Sequence, residues 1–137
     1  MIRKATREDI PRLFEIRNAV EENRLQQPEL VTVADCAWFI DNAAFWLWIE
    51  DGDIQGFSAG DPRDGSIFAL FIHPAYEGRG IGQTLLPLAC QTLTAAGHKI
   101  ARLTTEASTR AEHFYKMNGW SEIGRQSDGQ IIFQKGI

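Results

Sequence analysis

Three glycines fall within five residues in Glu77-Gly78-Arg79-Gly80-Ile81-Gly82, after an apolar run and ahead of a helical pattern. Glycine lets successive N–H groups turn toward one point and lets a ligand approach where a Cβ would block it. Before a helix N-terminus, such a loop builds an anion site from amide donors and the helix dipole. A phosphate or pyrophosphate is the natural guest, and a plain glycine-rich turn is the alternative. Two rival phosphate motifs fail. A P-loop needs Gly-Lys-Ser/Thr at its end, whereas Gly82 is followed by Gln83 and Thr84. A dinucleotide fingerprint needs an early βαβ unit with an acid some way beyond it, and the region near Arg102 carries none. Nucleotide hydrolysis and hydride transfer are thereby disfavoured.

The elements that must position this loop read as follows. Ile2–Ala5 suits a short strand, and a helix is expected from Arg7 to Glu22, with Thr6 and Asp9 as an approximate capping box. Ile10, Leu13, Phe14, Arg17 and Val20 form its stripe. Thr32 and Asp35 repeat the signal before a second helix holding Cys36, Phe39 and Ile40. Phe45–Glu50 and Ile54–Gly60 read as a hairpin around Asp51-Gly52. Ser66–Ile72 is apolar enough for a central strand. Gln83–Gly97 is expected to be helical, with Pro87 tolerated near its first turn. Ile100–Thr105 is a strand, and Thr109 with Glu112 caps a short helix through Met117. Trp120–Arg125 and Gln130–Lys135 form a last hairpin. The order is α+β, with about seven strands and four helices.

A length of 137 residues suits one domain, residues 1–137, able to bury its own core. Hydrophobic residues make up 44% and charged residues 23%, so disordered and low-complexity classes drop out. The net charge of -4 argues against a nucleic-acid or anionic-membrane binder. No apolar run reaches the length of a membrane span and no signal-peptide core follows Met1, so a cytoplasmic location is expected. Cys36 and Cys90 read as core thiols, and three scattered histidines make no zinc set.

With its neighbours, the glycine segment resembles the GNAT superfamily of acetyl-CoA-dependent N-acetyltransferases. The family's Gln/Arg-x-x-Gly-x-Gly/Ala motif reads here Glu77-Gly78-Arg79-Gly80-Ile81-Gly82, preceded by Leu70-Phe71-Ile72-His73-Pro74-Ala75-Tyr76. A second signature, Ala-x-x-Phe/Leu-Tyr-x-x-x-Gly-Phe, is matched by Ala111-Glu112-His113-Phe114-Tyr115-Lys116-Met117-Asn118-Gly119-Trp120. The resemblance implies a GNAT-type mixed, mostly antiparallel central sheet of about seven strands flanked by about four helices. One departure is Glu77, a carboxylate beside the expected pyrophosphate. Binding is expected to survive it if Glu77 points to solvent and Arg79 offsets its charge.

The resemblance also implies roles. Leu70, Phe71 and Ile72 would pair with the pantetheine arm, as a sheet edge pairs with an extended peptide. Gly78, Arg79, Gly80, Ile81, Gly82 and Gln83 would hold the pyrophosphate, and Ser108 or Thr109 would stand for a frequent cofactor-contacting Asn. Tyr115 would be the general acid for the departing thiolate, and backbone N–H near Phe71–Ile72 would stabilise the oxyanion. The attacking amine must lose a proton; Glu22 is the first candidate base, His73 the second, with Glu21 and Glu106 behind them. Trp38, Phe39, Trp46 and Trp48 could floor an acceptor pocket, although aromatic core is the more usual fate. The expected activity is acetyl transfer from acetyl-CoA to a primary amine in a ternary complex, with no metal. A non-catalytic CoA-binding module on the same fold is the alternative. The acidic chain mildly favours cationic acceptors such as polyamines, aminoglycosides or protein amines, and the protein is expected to be a monomer or homodimer.

Overall fold

Local capping starts the helices. A computed structural model of the chain describes residues 1–20 and 32–137. Strand β1 (Ile2–Lys4) leads through a 3-10 turn (Arg7–Asp9) into helix α1 (Ile10–Ala19). The Asp9 carboxylate accepts from the Thr6 amide at 2.7 Å and from Arg3 at 2.8 and 3.0 Å, closing the expected box. The helix expected over Arg7–Glu22 is thus divided: its first turn is 3-10, and it stops at Ala19, where Val20 takes an extended ψ of 104°. Helix α2 (Val33–Asn42) begins with reciprocal bonds between Thr32 and Asp35, at 2.9 and 3.1 Å.

Strands β2 (Trp46–Glu50), β3 (Asp53–Asp61) and β4 (Ser66–Ile72) form an antiparallel meander. Helix α3 (Ile81–Ala95) follows, then β5 (Ile100–Thr105), helix α4 (Arg110–Met117) and the hairpin β6 (Ser121–Arg125) with β7 (Ile131–Gly136). Among the described residues, seven strands make one sheet in the order β1-β2-β3-β4-β5-β7-β6, with β4–β5 its one parallel pair. Among the described residues this is the mixed, mostly antiparallel α+β sheet with four helices that was expected. Helix α3 starts two residues earlier than its expected Gln83, because Gly80 at φ 78° supplies the left-handed residue before it. Pro87 therefore lies inside the helix rather than in its first turn. No helix among the described residues is long and apolar enough to cross a membrane.

Strand alternation divides the core between the two faces of the sheet. On one face, Leu13 and Ile16 of α1 and Cys36 and Phe39 of α2 pack on Phe45, Leu47, Phe57, Ala59 and Ala69. Phe39 stacks on Phe68 with centroids 4.1 Å apart. On the other face, Leu86 and Leu93 of α3 and Tyr115 of α4 pack on Ala101, Leu103, Ile131 and Phe133. Each fully buried aromatic or branched side chain contributes roughly 1.5–3 kcal/mol. Cys36 is buried and Cys90 half-buried, and both are free thiols, as their apolar surroundings predict.

Candidate active site

Two neighbouring strands part company at the centre of the sheet. β4 and β5 are paired at Ser66↔Arg102 alone, supported by the Arg102 amide donating to Gly65 at 3.1 Å. Beyond that point the strands splay. The His73 amide donates to the Gln55 carbonyl on the β3 side. Alternation therefore turns the N–H groups of Ile72 and Leu70 the other way, into the opening. A strand edge with unsatisfied donors and acceptors is a template for an extended polar chain. Phe71 offers its side chain to the opening but directs its backbone at β3.

The glycine loop lies beyond the C-terminal end of that edge. Gly78 and Gly80 hold φ of 79° and 78°, a region that penalises any side chain. The amides of Gly78, Arg79, Gly80 and Ile81 donate to no backbone or side-chain acceptor among the described residues. They stand at the N-terminus of α3, where free N–H groups and the dipole favour an anion. A Cβ on Gly82 would come within 3.3 Å of the Phe114 ring, so this glycine lets α4 pack closely on the start of α3. Gln83 is exposed in the first turn.

Glu77 is exposed to solvent, as expected, but its charge is not offset by Arg79. Its carboxylate is bonded to the Arg110 guanidinium at the start of α4. Arg79 instead lies over the Tyr76 ring, 5.4 Å from the centroid, while the Tyr76 hydroxyl donates to Asp53 at 2.9 Å. Arg110, not Arg79, pairs with the charge of Glu77. Of the two hydroxyls expected near the cofactor, that of Thr109 is committed to the helix cap, accepting from Glu112 N and donating to Glu106 O. Ser108 sits at φ 63° with its amide donating to Glu112 at 2.8 Å, and its hydroxyl makes no hydrogen bond among the described residues.

A cavity of about 540 Å³ passes through the opening. On the α3–α4 side it is lined by Leu70, Leu103, Thr105 and Tyr115. On the other side Leu13, Phe14, Arg17, Cys36, Phe45 and Phe57 line it. Tyr115 is 7% exposed and is ringed by Phe114, Trp120 and Phe133, with centroids 5.4 to 5.9 Å away. Its hydroxyl makes no hydrogen bond among the described residues. Burial pushes its pKa well above the usual 10, with Cys90 adding to the rise, so the phenol holds its proton at neutral pH.

The candidate bases fare differently. Glu21 and Glu22 lie outside the described residues. The His73 Nδ1 accepts from the Ala75 amide at 3.1 Å and caps the turn after β4, and neither it nor Glu106 lines the cavity. The four aromatic residues expected on the pocket floor are elsewhere. Phe39 is core, Trp38 stacks under the Arg63 guanidinium at 3.8 Å, and Trp46 donates to Thr92 at 3.1 Å. Trp48 pairs with Gly56 and is not in the lining. The cavity is lined instead by Phe14, Phe45, Phe57, Phe68 and Phe71, with Arg17 and Arg102. A signal for Arg17 was present: a cation within the apolar stripe of α1.

A splayed parallel pair, a donor-rich glycine loop and a buried tyrosine across the opening match the two signatures in register. The pattern of the acetyltransferase (GNAT) family matches residues 10–120. Mycothiol acetyltransferase of Sanguibacter keddieii is 32% identical over 124 residues, 79% of this chain and 39% of that protein. The chain spans 30–39% of the length of the curated relatives it matches. In fold it resembles the PaiA N-acetyltransferase of Thermoplasma acidophilum solved with coenzyme A. That likeness has a TM-score of 0.79 at 19% identity and covers 100% of this chain and 98% of that one. The putative acetyltransferase YncA of Salmonella typhimurium, solved with acetyl-CoA, gives 0.78 at 16% identity over 99% and 92% of the two chains. With the family pattern running from α1 to the end of α4, the chain belongs to the acetyltransferase (GNAT) family.

Proposed function

We propose that this chain transfers an acetyl group from acetyl-CoA to a primary amine by direct attack in a ternary complex. The observation that carries the reading is the opening between β4 and β5. It presents backbone groups of Leu70 and Ile72, runs toward the free amides of Gly78–Ile81, and faces Tyr115 across the cavity. These groups fit acetyl-CoA part by part: amides for the pyrophosphate and a strand edge for the pantetheine amides. Acetyl-CoA supplies the thioester whose C–S bond breaks as the amine nitrogen bonds to the acyl carbon. The likeness to mycothiol acetyltransferases supports acetyl as the group moved.

The chain's own groups then have separable tasks. The strand edge and loop hold the donor in register, which removes most of the orientational cost of a bimolecular step. The Ile72 amide, turned into the opening, donates to the oxyanion. Tyr115 donates to the leaving sulfur. Because burial makes a tyrosinate costly, its proton must be replaced as the amine gives up its own. Glu22 is the proposed acceptor of the amine's proton. His73 would have to act from Nε2 through water, since its Nδ1 is occupied. Ser108 offers its hydroxyl to the cofactor.

One observation favours a non-catalytic CoA-binding module: no carboxylate or imidazole lines the cavity among the described residues. Two measurements separate the readings. Acetyl-CoA should raise the melting temperature by mass action, and an amine panel should release CoA thiol. A shift without thiol release from any amine selects the binding module. No shift at millimolar acetyl-CoA rejects both.

A further inference from the structure

The cavity continues past the strand edge into the core on the α1 side of the sheet. Leu13, Cys36, Phe45, Phe57 and Ala69 all line it, although none of them is more than 6% exposed. Strand pairing explains the space. Ala69 of β4 lies opposite Ala59 of β3, so two short side chains sit together on the face that α1 and α2 cover. The longer Phe68 and Phe71, on the same face before and after Ala69, frame the recess. Protein interiors are close-packed, and an unfilled apolar space forfeits dispersion contacts. These side chains offer water nothing beyond a thiol, so the recess suits an apolar guest.

The direction of the donor decides which guest. The proposed pyrophosphate site lies past the C-terminal end of β4, and an extended pantetheine arm runs back along the strand edge from Ile72 toward Leu70. The acyl group, at the far end of the donor, then reaches the level of Ala69. An acetyl group brings a single methyl to that space. The attacking amine has a more hydrated approach, where the exposed or half-exposed Ser66, Thr104 and Gln126 line the cavity. An ammonium in the recess would instead lose its hydration among apolar side chains. Arg17 is the charged side chain that α1 brings to the lining, and a neutral chain makes no demand on it.

We propose that this recess receives the acyl chain of the donor, so that the protein takes linear, apolar acyl-CoA donors longer than acetyl, with Ala69 setting the length. The inference rests on the acyl-transfer reading, and the step is unchanged. The amine nitrogen bonds to the acyl carbon, the C–S bond breaks, and the sulfur leaves protonated as the CoA thiol. Calorimetry without an amine compares CoA, acetyl-CoA, butyryl-CoA and hexanoyl-CoA. Each added methylene should tighten binding by up to about fourfold, and hexanoyl-CoA should bind at least about tenfold more tightly than acetyl-CoA. Ala69→Leu should remove that gain and leave CoA itself bound as before. Cys36→Met fills the recess from α2 with a side chain that adapts to irregular space, and should do the same if Ala69→Leu does not fold. Hexanoyl-CoA that binds no more tightly than acetyl-CoA overturns the proposal, as does a gain that survives in the folded variants. Unfolding of both variants shows that the recess has no room and overturns it too. A lower KM for hexylamine than for ethylamine that Ala69→Leu abolishes, with no gain for hexanoyl-CoA, gives the space to the acceptor and leaves acyl transfer intact. A chain-length gain with no thiol release from any amine supports the recess and defeats the transfer reading instead.

Discussion

The Glu77 carboxylate is held by the Arg110 guanidinium, joining the glycine loop to the first residue of the helix that carries Tyr115. The pair is exposed, with side chains 35% and 69% accessible, so solvent limits it to about 1 kcal/mol. Arg110→Gln takes this partner from a carboxylate beside the proposed pyrophosphate site. It should weaken CoA binding by up to about fivefold at low salt and less at high salt. Glu77→Gln/Arg110→Gln removes both charges and should restore near-wild-type affinity. An Arg110→Gln effect that is insensitive to salt would show that the contact acts by shape rather than charge.

Gly80 and Gly82 should fail in different ways. Gly80→Ala forces a side chain to φ 78°, at a cost of roughly 1–2 kcal/mol, and should lower the melting temperature by several degrees. Gly82 has ordinary helical backbone, so Gly82→Ala gains up to about 1 kcal/mol of helix propensity. Its new Cβ presses on the Phe114 ring at 3.3 Å, next to Tyr115. Stability should therefore hold while thiol release falls. Thermal melts beside turnover assays check the contrast.

Tyr115→Phe keeps the ring among Phe114, Trp120 and Phe133 and deletes a hydroxyl without a hydrogen-bond partner among the described residues. The change should leave stability unchanged or slightly higher, because no bond is lost. Acetyl transfer should fall on the order of 10²-fold, with CoA affinity changed little. Wild-type turnover in the variant would remove Tyr115 from the reaction.

Alkaline pH should loosen the fold through buried acids. Burial raises the pKa of Tyr115 above 10 and those of Cys36 and Cys90 above 9. The folded chain keeps protons that the unfolded chain loses, so these contributions are complete below about pH 9 and decline as pH rises through the folded values. Each group steepens the loss by up to about 1.4 kcal/mol per pH unit. Denaturant melts at pH 8, 9.5 and 10.5 measure the slope, and Tyr115→Phe should flatten the section above pH 10.

Local signals were legible along the chain because they depend on a few neighbouring residues. Thr32 with Asp35 starts α2, Asp51-Gly52 turns β2 into β3, and the glycines of the loop announce free amides ahead of α3. Such features are settled by φ/ψ preference and short-range hydrogen bonds, which amino-acid type nearly dictates. The boundaries that moved show the limit of this. Gly80, rather than the expected Gln83, decides where α3 begins, and the helix expected over Arg7–Glu22 is a 3-10 turn and then an α-helix ending at Ala19.

What required the tertiary structure is whatever depends on elements far apart in the chain. The parting of β4 from β5 after Ser66↔Arg102 is a relation between two strands that the whole of α3 separates in the chain. No local pattern in Ser66–Ile72 records it. The same holds for the cavity wall, where Phe14, Phe45, Phe57, Phe68 and Phe71 converge from four elements and their flanks while the tryptophans go elsewhere. Arg17 of α1 and Arg102 of β5 reach the same lining from opposite ends of the chain. Composition reports the sum of charges over the chain, whereas a substrate meets only the charges folding brings to one place, because screening and burial make electrostatics local.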